Sequence, residues 1–271
     1  MTEISRIAYS DEGLSLKGSV TVKGTVKDQY SLDEYEGVLR VAVTTSVTEH
    51  SKRYVNDYGL EEFVISRSSK LNASLYCLDK ETFDILAAVE NFAPEGERLQ
   101  SARFDGNMAY ICTSLQLSDP VFFFDLSDLD NITVKDTGTI EGFSSSLINF
   151  GGGYLLGIGV GDSWNTVKIE VYKEHEDGVI SVCSYEIPYS GYSTDYKSYF
   201  IDREKWLVGL MVVSHMGVSD EHYLLLHFDG TRLVPLLNES LDGESYSARA
   251  VLIDDCFYMF SSHDFKVSKL K

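Results

Sequence analysis

The stretch that decides the fold is "SLINFGGGYLLGIGV", residues 146–160. A short strand-like run leads into a turn of three glycines, and a strongly apolar run follows. In the second run, hydrophobic residues occupy both alternating faces, which is typical of a strand that is covered on both sides. An antiparallel sandwich would instead expose one face and place polar residues there. This stretch therefore predicts a strand inside a stack of sheets.

The same plan of short strand, acidic or glycine turn and apolar strand recurs along the chain. The other copies are "SLDEYEGVLRVAVTT" from residue 31, "QSARFDGNMAYICT" from 100, "SYFIDREKWLVGLMVV" from 198 and "SARAVLIDDCFYMFSS" from 247. After the first step, successive turns lie roughly 50 residues apart. Two further strand-like runs follow each pair. Four strands per unit at this period predict an all-β fold, a β-propeller of four-stranded antiparallel blades.

The predicted organisation is a single propeller domain over residues 1–271 with about five blades. It is either a closed ring or a segment of a larger propeller. A ring would close if "LSLKGSVTVKG" (residues 14–24) completed the last blade, which leaves one strand over. The first step is longer than the others because residues 46–72 form an insertion. Its Tyr54, Tyr58 and Phe63 predict either a functional surface or packing onto the next blade.

The charge balance narrows the classes of partner. Forty-two acidic against 23 basic residues give a net charge of −19, which repels phosphate backbones and disfavours nucleic acid. No apolar run approaches the roughly 20 residues of a membrane helix, so no transmembrane segment is predicted. The start, "MTEISRIAYSDEG", has neither the basic nor the apolar region of an export signal. The expected partner is a protein, peptide or glycan, and the expected state is a monomer.

The four cysteines point to no cofactor. Cys77, Cys112, Cys183 and Cys256 lie in separate units and include no C-x-x-C pair, so a zinc site is unsupported. We expect all four thiols to stay unpaired, since neighbouring blades rarely bring two such positions within disulfide distance. No metal or cofactor is predicted, with a cation in the central channel as the alternative.

Acidic residues near the first repeat raise the question of catalysis. Asp33 and Glu34 are adjacent on a predicted strand, so their side chains point to opposite faces and cannot form one acid–base dyad. Innermost strands line a propeller's channel, so these residues are candidates for channel or blade-to-blade contacts. A structural role is favoured because buried polar groups need partners.

A shorter repeat supplies the remaining candidate residues. "GERLQSAR" (residues 96–103) matches "GESYSAR" (residues 243–249), so that Glu97 and Arg103 have counterparts in Glu244 and Arg249. Residues that recur between blades are expected to tie blades together. We predict that Asp33 and Arg103 pair on neighbouring innermost strands, and that Arg249 takes the equivalent place three blades on.

Three segments carry a resemblance to a known family. "DQYSLDEYEGVLRVAVTT" (residues 28–45), "PEGERLQSARFDGNMAYICTSLQLSDPVFFFDLSDLDNI" (94–132) and "IEGFSSSLINFGGGYLLGIG" (140–159) resemble bacterial and archaeal secreted proteins with a C-terminal β-propeller domain, a distantly WD40-like family. The resemblance covers most of residues 3–262. It implies an extracellular or cell-envelope location and no established reaction.

The function predicted from these features is a non-catalytic binding or scaffolding module outside the cytoplasm. One alternative is a hydrolase or lyase that acts on a surface polymer at the channel mouth. Such an enzyme requires a convergent cluster of titratable side chains and a pocket. The other alternative is a purely structural domain of a longer envelope protein, because propellers host many unrelated functions.

Overall fold

A computed structural model describes residues 1–57, 60–115, 118–138, 140–164, 166–176, 178–187, 195–214, 220–243 and 247–270. Within these ranges, side chains are not described for residues 47, 49–57, 60–68, 118–119, 214 and 220. Everything below refers to the described part of the chain.

Strands dominate the structure, and each sheet is antiparallel and built mainly from consecutive strands. An N-terminal hairpin comes first: β1 Thr2–Ser10 and β2 Gly13–Val22. Sheet 1 follows: β3 Leu32–Tyr35, β4 Val38–Asp57, β5 Leu60–Asp79 and β6 Ile85–Val89. Sheet 2 consists of β7 Arg98–Asp105, β8 Met108–Ser114, β10 Val121–Asp125 and β11 Thr133–Asp136. A small pair lies beside it: β9 Ser118–Asp119 and β12 Ile140–Glu141.

The second half of the chain continues the same pattern. Sheet 3 consists of β13 Phe143–Gly151, β14 Tyr154–Val160, β15 Val167–His175 and β16 Gly178–Ile187. Sheet 4 consists of β17 Phe200–Asp202, β18 Leu207–Ser214, β19 Asp220–Phe228 and β20 Leu233–Ser240. Sheet 5 has three strands: β21 Arg249–Ile253, β22 Cys256–Phe260 and β23 Phe265–Lys269. Four four-stranded sheets and a fifth of three strands confirm the predicted all-β propeller architecture.

Each sheet packs face to face against the next one in sequence, which explains why the second strands are apolar on both faces. Five consecutive residues of β14 are buried. Separate hydrophobic clusters join successive sheets: Cys77 with Phe124, Phe123 with Leu155, Phe150 with Phe228, and Met211 with Phe257. Burying each large apolar side chain of this kind contributes roughly 1.5–3 kcal/mol. The stack of sheets is therefore the core of the protein.

The N-terminal hairpin forms a sheet of its own. Strand β2 pairs with β1 and not with a strand of sheet 5, so residues 14–24 do not complete the last blade, which was the condition for that ring to close. The reason is packing: Val20 and Val22 lie against Val41 and Val43 of sheet 1. The hairpin thus covers the free face of sheet 1, as the outer two strands of a preceding blade would.

The predicted insertion is not a loop. Residues 46–57 and 60–72 extend the second and third strands of sheet 1, which pair continuously from Val38 opposite Asp79 to Asp57 opposite Leu60. Tyr54 stands opposite Phe63 in this register, but the side chains of both lie outside the described ones. Tyr58 lies outside the described residues. The functional surface predicted at residues 46–72 stays a prediction.

The cysteines follow the sequence analysis. All four thiols are free, with Cys77 and Cys112 buried, which confirms the prediction that they stay unpaired. Burial raises the pKa of Cys77 to about 11, so this thiol stays protonated and unreactive near neutral pH.

In the described residues, no helix has the length and apolar character needed to cross a membrane.

A buried polar row runs along β15 in sheet 3. Lys168 forms an ion pair with Glu170, and both side chains are about 95% buried, with exposed fractions of 5% and 6%. Lys168 also donates to the carbonyl oxygen of Glu141, and the Tyr172 hydroxyl donates to Glu170 over 2.9 Å. The residues opposite Lys168 and Glu170 on β14 are Gly159 and Gly157. Because glycine has no side chain, Gly157 and Gly159 leave room for the side chains of Lys168 and Glu170 on this face of the sheet.

Candidate functional site

A cavity of about 740 Å³ opens where the first strands of sheets 2, 3 and 4 approach one another. Sheet 2 contributes residues 101–103 and sheet 3 contributes residues 145–148. Tyr196, Tyr199, Ile201 and Arg203 line the side of sheet 4, and residues 27–30 form the remaining wall. We call it the inner-strand cavity. Its size lies within the usual range of small-ligand sites, roughly 300–1,000 Å³.

Residues 27–30 form a bridge that links four sheets across the inner strands. Lys27 donates to the carbonyl oxygens of Gln100 in sheet 2 and Ser145 in sheet 3. Asp28 accepts a hydrogen bond from the Tyr30 amide over 2.9 Å and thereby caps a short 3-10 helix, Gln29–Ser31, which leads into β3 of sheet 1. We call residues 27–30 the bridging segment.

At the far end of the bridging segment, the Tyr30 ring meets the Tyr196 ring edge to face, with centroids 5.4 Å apart. Tyr196 begins a second 3-10 helix, Tyr196–Ser198, capped by Asp195. Burial raises the pKa of Tyr30, so its hydroxyl remains a hydrogen-bond donor at neutral pH. The bridging segment is thus held at both ends.

Positively charged side chains outnumber negatively charged ones in the described lining of the cavity, although the protein as a whole is acidic. Among the described residues, the lining includes Lys27, Arg103 and Arg203 and one carboxylate, Asp28, which lies 3.8 Å from Lys27. Burial lowers the pKa of Lys27, while Asp28 opposes this effect. The whole chain, in contrast, has a net charge of −19. The balance in the described lining is thus opposite in sign to that of the whole chain.

Arg103 and Arg203 share with Arg98 the lack of an ion pair among the described side chains. Ion pairs among the described side chains involve Arg6, Arg40, Arg232 and Arg249, and neither cavity arginine takes part in one. The Nε of Arg103 is buried and has no hydrogen-bond partner among the described residues. A buried donor without a partner costs about 1–3 kcal/mol, so such a group marks a place where a ligand would add a hydrogen bond.

Asp33 and Glu34 both form contacts within sheet 1 and its turns, and the predicted partner of Asp33 was wrong. Asp33 pairs with Arg40, which stands directly opposite on β4, and not with Arg103. Arg40 is buried and also donates to the carbonyl oxygen of Gly106, so it ties sheet 1 to the first turn of sheet 2. Glu34 accepts from the Gly37 amide over 3.0 Å and from Lys80 over 3.3 Å.

The two related arginines lie on first strands of their sheets but differ in environment. Arg249 lies 3.7 Å from Asp195 and donates to the carbonyl oxygen of Ala248, whereas Arg103 lines the inner-strand cavity. Glu97 is 7% exposed, and its carboxylate accepts a hydrogen bond from the Thr113 hydroxyl. Its counterpart Glu244 lies outside the described residues. Of the predicted residues, the structure therefore brings only Arg103 to the cavity.

Glu97 predicts a pH dependence of stability. Burial raises its pKa in the folded protein above 4.5, and the hydrogen bond from Thr113 opposes this only in part. A carboxyl with a raised folded pKa stabilises the fold while protonated, so its contribution is lost as pH rises from 4.5 through the folded pKa. Glu97→Gln should therefore gain in stability relative to wild type as pH rises. Urea unfolding between pH 4.5 and 7.5 measures this.

The control for this experiment is Glu95→Gln, because Glu95 is two residues away and exposed. The pH-dependent difference from wild type should be larger for Glu97→Gln than for Glu95→Gln, whose ion pair with Lys70 at 3.1 Å is exposed. A difference for Glu97→Gln that stays flat would mean that the Glu97 carboxyl titrates alike in the folded and unfolded chain.

Sequence reasoning missed most of the cavity residues. Tyr30 stands in the quoted "DQYS" stretch and Lys27 directly precedes it, but nothing local shows that this segment crosses to sheets 3 and 4. Arg203 lies in the turn of "IDREKW", which looks like an ordinary solvated turn. Arg40 could have been found, since the two-residue turn at Glu36 and Gly37 sets it opposite Asp33.

The described lining combines cationic, aromatic, hydroxyl and amide side chains with one carboxylate. Its single carboxylate, Asp28, is engaged by Lys27 and by the Tyr30 amide. Glycoside hydrolysis uses two carboxyl groups flanking the bond, and the described lining lacks that pair. Nor do the described residues bring together three His, Cys, Asp or Glu side chains that could hold a metal ion. Besides the Asp28 carboxylate, the polar side-chain groups of the described lining are guanidinium, ammonium, phenol, hydroxyl and amide.

Stacked four-stranded sheets around an inner-strand cavity define the class of protein as a β-propeller. The chain belongs to the beta propeller domain family, whose model matches residues 1–271. It is 27% identical over 276 residues to an uncharacterized protein of Archaeoglobus fulgidus, covering 98% of this chain and 37% of that relative. It is 28% identical over 151 residues to the uncharacterized protein MJ1554 of Methanocaldococcus jannaschii, covering 56% of this chain and 21% of that relative.

The chain thus spans about a third or less of the length of these archaeal relatives. Among solved structures, a putative 6-phosphogluconolactonase of Bacteroides fragilis aligns over 98% of this chain and 90% of its own. The TM-score is 0.40 and the sequence identity is 7%, so this likeness carries no argument about activity.

Proposed function

We propose that the chain is a binding module that takes its ligand in the inner-strand cavity. The observation that carries the proposal is the convergence of three first strands and the bridging segment on one cavity of about 740 Å³. Propellers place variable side chains on a rigid stack, so a site built this way is held in place by the packing of the blades.

The makeup of the lining supports binding over catalysis. Tyr30, Tyr196 and Tyr199 offer aromatic surface, while Gln29 and Ser146 offer polar groups. Pockets that bind small molecules combine apolar surface with a few polar groups that fix orientation. The surface-polymer hydrolase predicted as an alternative needs a second acid or base, which the described lining does not provide. The proposal also places the module outside the cytoplasm, and its support is the resemblance to secreted proteins.

Blocking the cavity tests the proposal. Ser146→Trp adds a large ring at the lining, and Gln29→Trp does so from the bridging segment. We expect each variant to weaken the binding of any ligand found by screening oligosaccharides and peptides by at least 10-fold, measured by calorimetry. Two variants are used so that the test does not depend on the folding of either one. A melting curve shows which of them retains the wild-type fold.

The matched control is Thr133→Trp, since Thr133 is exposed on β11, far from the inner edge of sheet 2. This variant should bind as wild type does. A ligand that binds equally well to both folded cavity variants would place the site elsewhere. Failure of the wild-type protein to bind any member of the panel would favour the purely structural role.

A further inference from the structure

We infer that the inner-strand cavity recognises an acidic sugar unit of a polysaccharide, with Arg103 and Arg203 binding its carboxylate. The inference rests on the proposed function and names the ligand class. Its first basis is electrostatic: the described part of the lining holds three cations and one carboxylate, and that carboxylate is already engaged by Lys27 and a backbone amide. An anionic ligand would remove this imbalance.

The second basis is the geometry of guanidinium groups. Arg103 and Arg203 line the same cavity and are not used in ion pairs with described residues, and a buried Nε of Arg103 lacks a partner there. Guanidinium binds carboxylate through two parallel hydrogen bonds, which gives both affinity and orientation. Lys27 is less available because it donates to two backbone carbonyls.

A carboxylate fits the site better than a phosphate does. Phosphate sites commonly use free backbone amides at a helix N-terminus or in a nest. Beside this cavity, the two short 3-10 helices have such amides occupied: Asp28 accepts from the Tyr30 amide and Asp195 accepts from the Lys197 amide over 3.0 Å. Side-chain guanidinium groups are then the main donors left for an anion.

A sugar ring fits the rest of the lining better than an acidic peptide does. The tyrosine rings provide flat apolar surfaces of the size of a pyranose ring, and Tyr196 is 47% exposed. Gln29 and Ser146 can exchange hydrogen bonds with ring hydroxyls. Triglutamate also carries one side-chain carboxylate per residue, so charge does not separate the two ligands. The sugar is favoured because a peptide of glutamates has no pyranose ring to lie against the tyrosine rings.

The experiment is isothermal titration of the protein with trigalacturonate, maltotriose, triglutamate and inorganic phosphate at low and high salt. We expect trigalacturonate to bind, to weaken as salt rises, and to bind at least 10-fold more tightly than the other three. Arg103→Gln and Arg203→Gln should each weaken trigalacturonate binding at least 10-fold, with melting temperatures close to wild type. The control Arg232→Gln, at an exposed ion pair with Asp229, should bind normally.

The outcomes separate this inference from the proposed function. No binding of trigalacturonate, equal binding of maltotriose, triglutamate or phosphate, or normal binding by folded Arg103→Gln and Arg203→Gln each overturns the acidic-sugar inference. If one of the other probes binds and Ser146→Trp abolishes that binding, the cavity is the binding site and only the ligand class is wrong. If trigalacturonate binding survives in folded Ser146→Trp and Gln29→Trp, both proposals fail.

Discussion

Lys168→Met is expected to lower the free energy of unfolding by about 3–5 kcal/mol, because it leaves the buried carboxylate of Glu170 without its cation. Both side chains of this pair are nearly inaccessible to water. The Tyr172 hydroxyl would remain as a donor to Glu170, and burial raises the pKa of that phenol well above its ordinary value, so it stays neutral. One neutral donor does not replace an ammonium group. Urea unfolding followed by circular dichroism measures the loss.

Two comparisons test whether the loss of stability comes from leaving the Glu170 carboxylate without its cation. Lys135→Met removes the lysine of a more exposed ion pair with Glu174, at 2.9 Å, and should cost less than about 1 kcal/mol. The double variant Lys168→Met with Glu170→Leu removes both charges and should recover most of the stability. A loss for Lys168→Met no larger than that for Lys135→Met would show that water or relaxation satisfies Glu170.

Gly159→Ala is expected to destabilise the protein by about 3 kcal/mol or more, because a methyl group here meets backbone that has little freedom to move aside. A Cβ on Gly159 would collide with the carbonyl oxygen of Phe143 and lie 2.9 Å from the Cα of Ser144. The register of β13 against β14 shifts between Ser144 and Ser146, so the strands approach closely at this irregularity. The melting temperature and urea midpoint measure the effect.

Gly153→Ala is the matched variant in the same hairpin. A Cβ there would have nothing within 4 Å, but the backbone is left-handed, with φ of 80°. It should therefore cost only the roughly 1–2 kcal/mol of placing an L-residue in that region. If Gly153→Ala proves as damaging as Gly159→Ala, backbone conformation, rather than close approach, is what the glycines of this hairpin provide.

The propeller architecture could be predicted because its signals are local. A strand covered on both faces needs hydrophobic residues at successive positions, and a tight turn needs glycine or an acidic residue, so both requirements are written in short stretches such as residues 146–160. Their recurrence at a period of roughly 50 residues then indicates stacked units. The five first strands lie within a few residues of the predicted positions for this reason.

The ion pair of Asp33 illustrates where such reasoning stopped short. Its partner, Arg40, is set by the register of one hairpin: Tyr35 stands opposite Val38 across the turn, which places Asp33 opposite Arg40. This contact was within reach of the sequence, since a two-residue turn determines register. The Arg103 pairing would have required knowledge of how two sheets lie against each other, and no local pattern carries that.

The sequence by itself determined the class of fold, the sheet order and the free thiols, because strand periodicity and turn chemistry act over a few residues. Only the tertiary structure decided the inner-strand cavity and the buried row of Lys168 and Glu170. The cavity joins Lys27, Arg103 and Arg203, which are far apart in the chain and meet only when the bridging segment crosses the inner strands. Contacts between distant residues follow from the packing of whole sheets, so their partners are chosen by the fold and not by neighbouring residues.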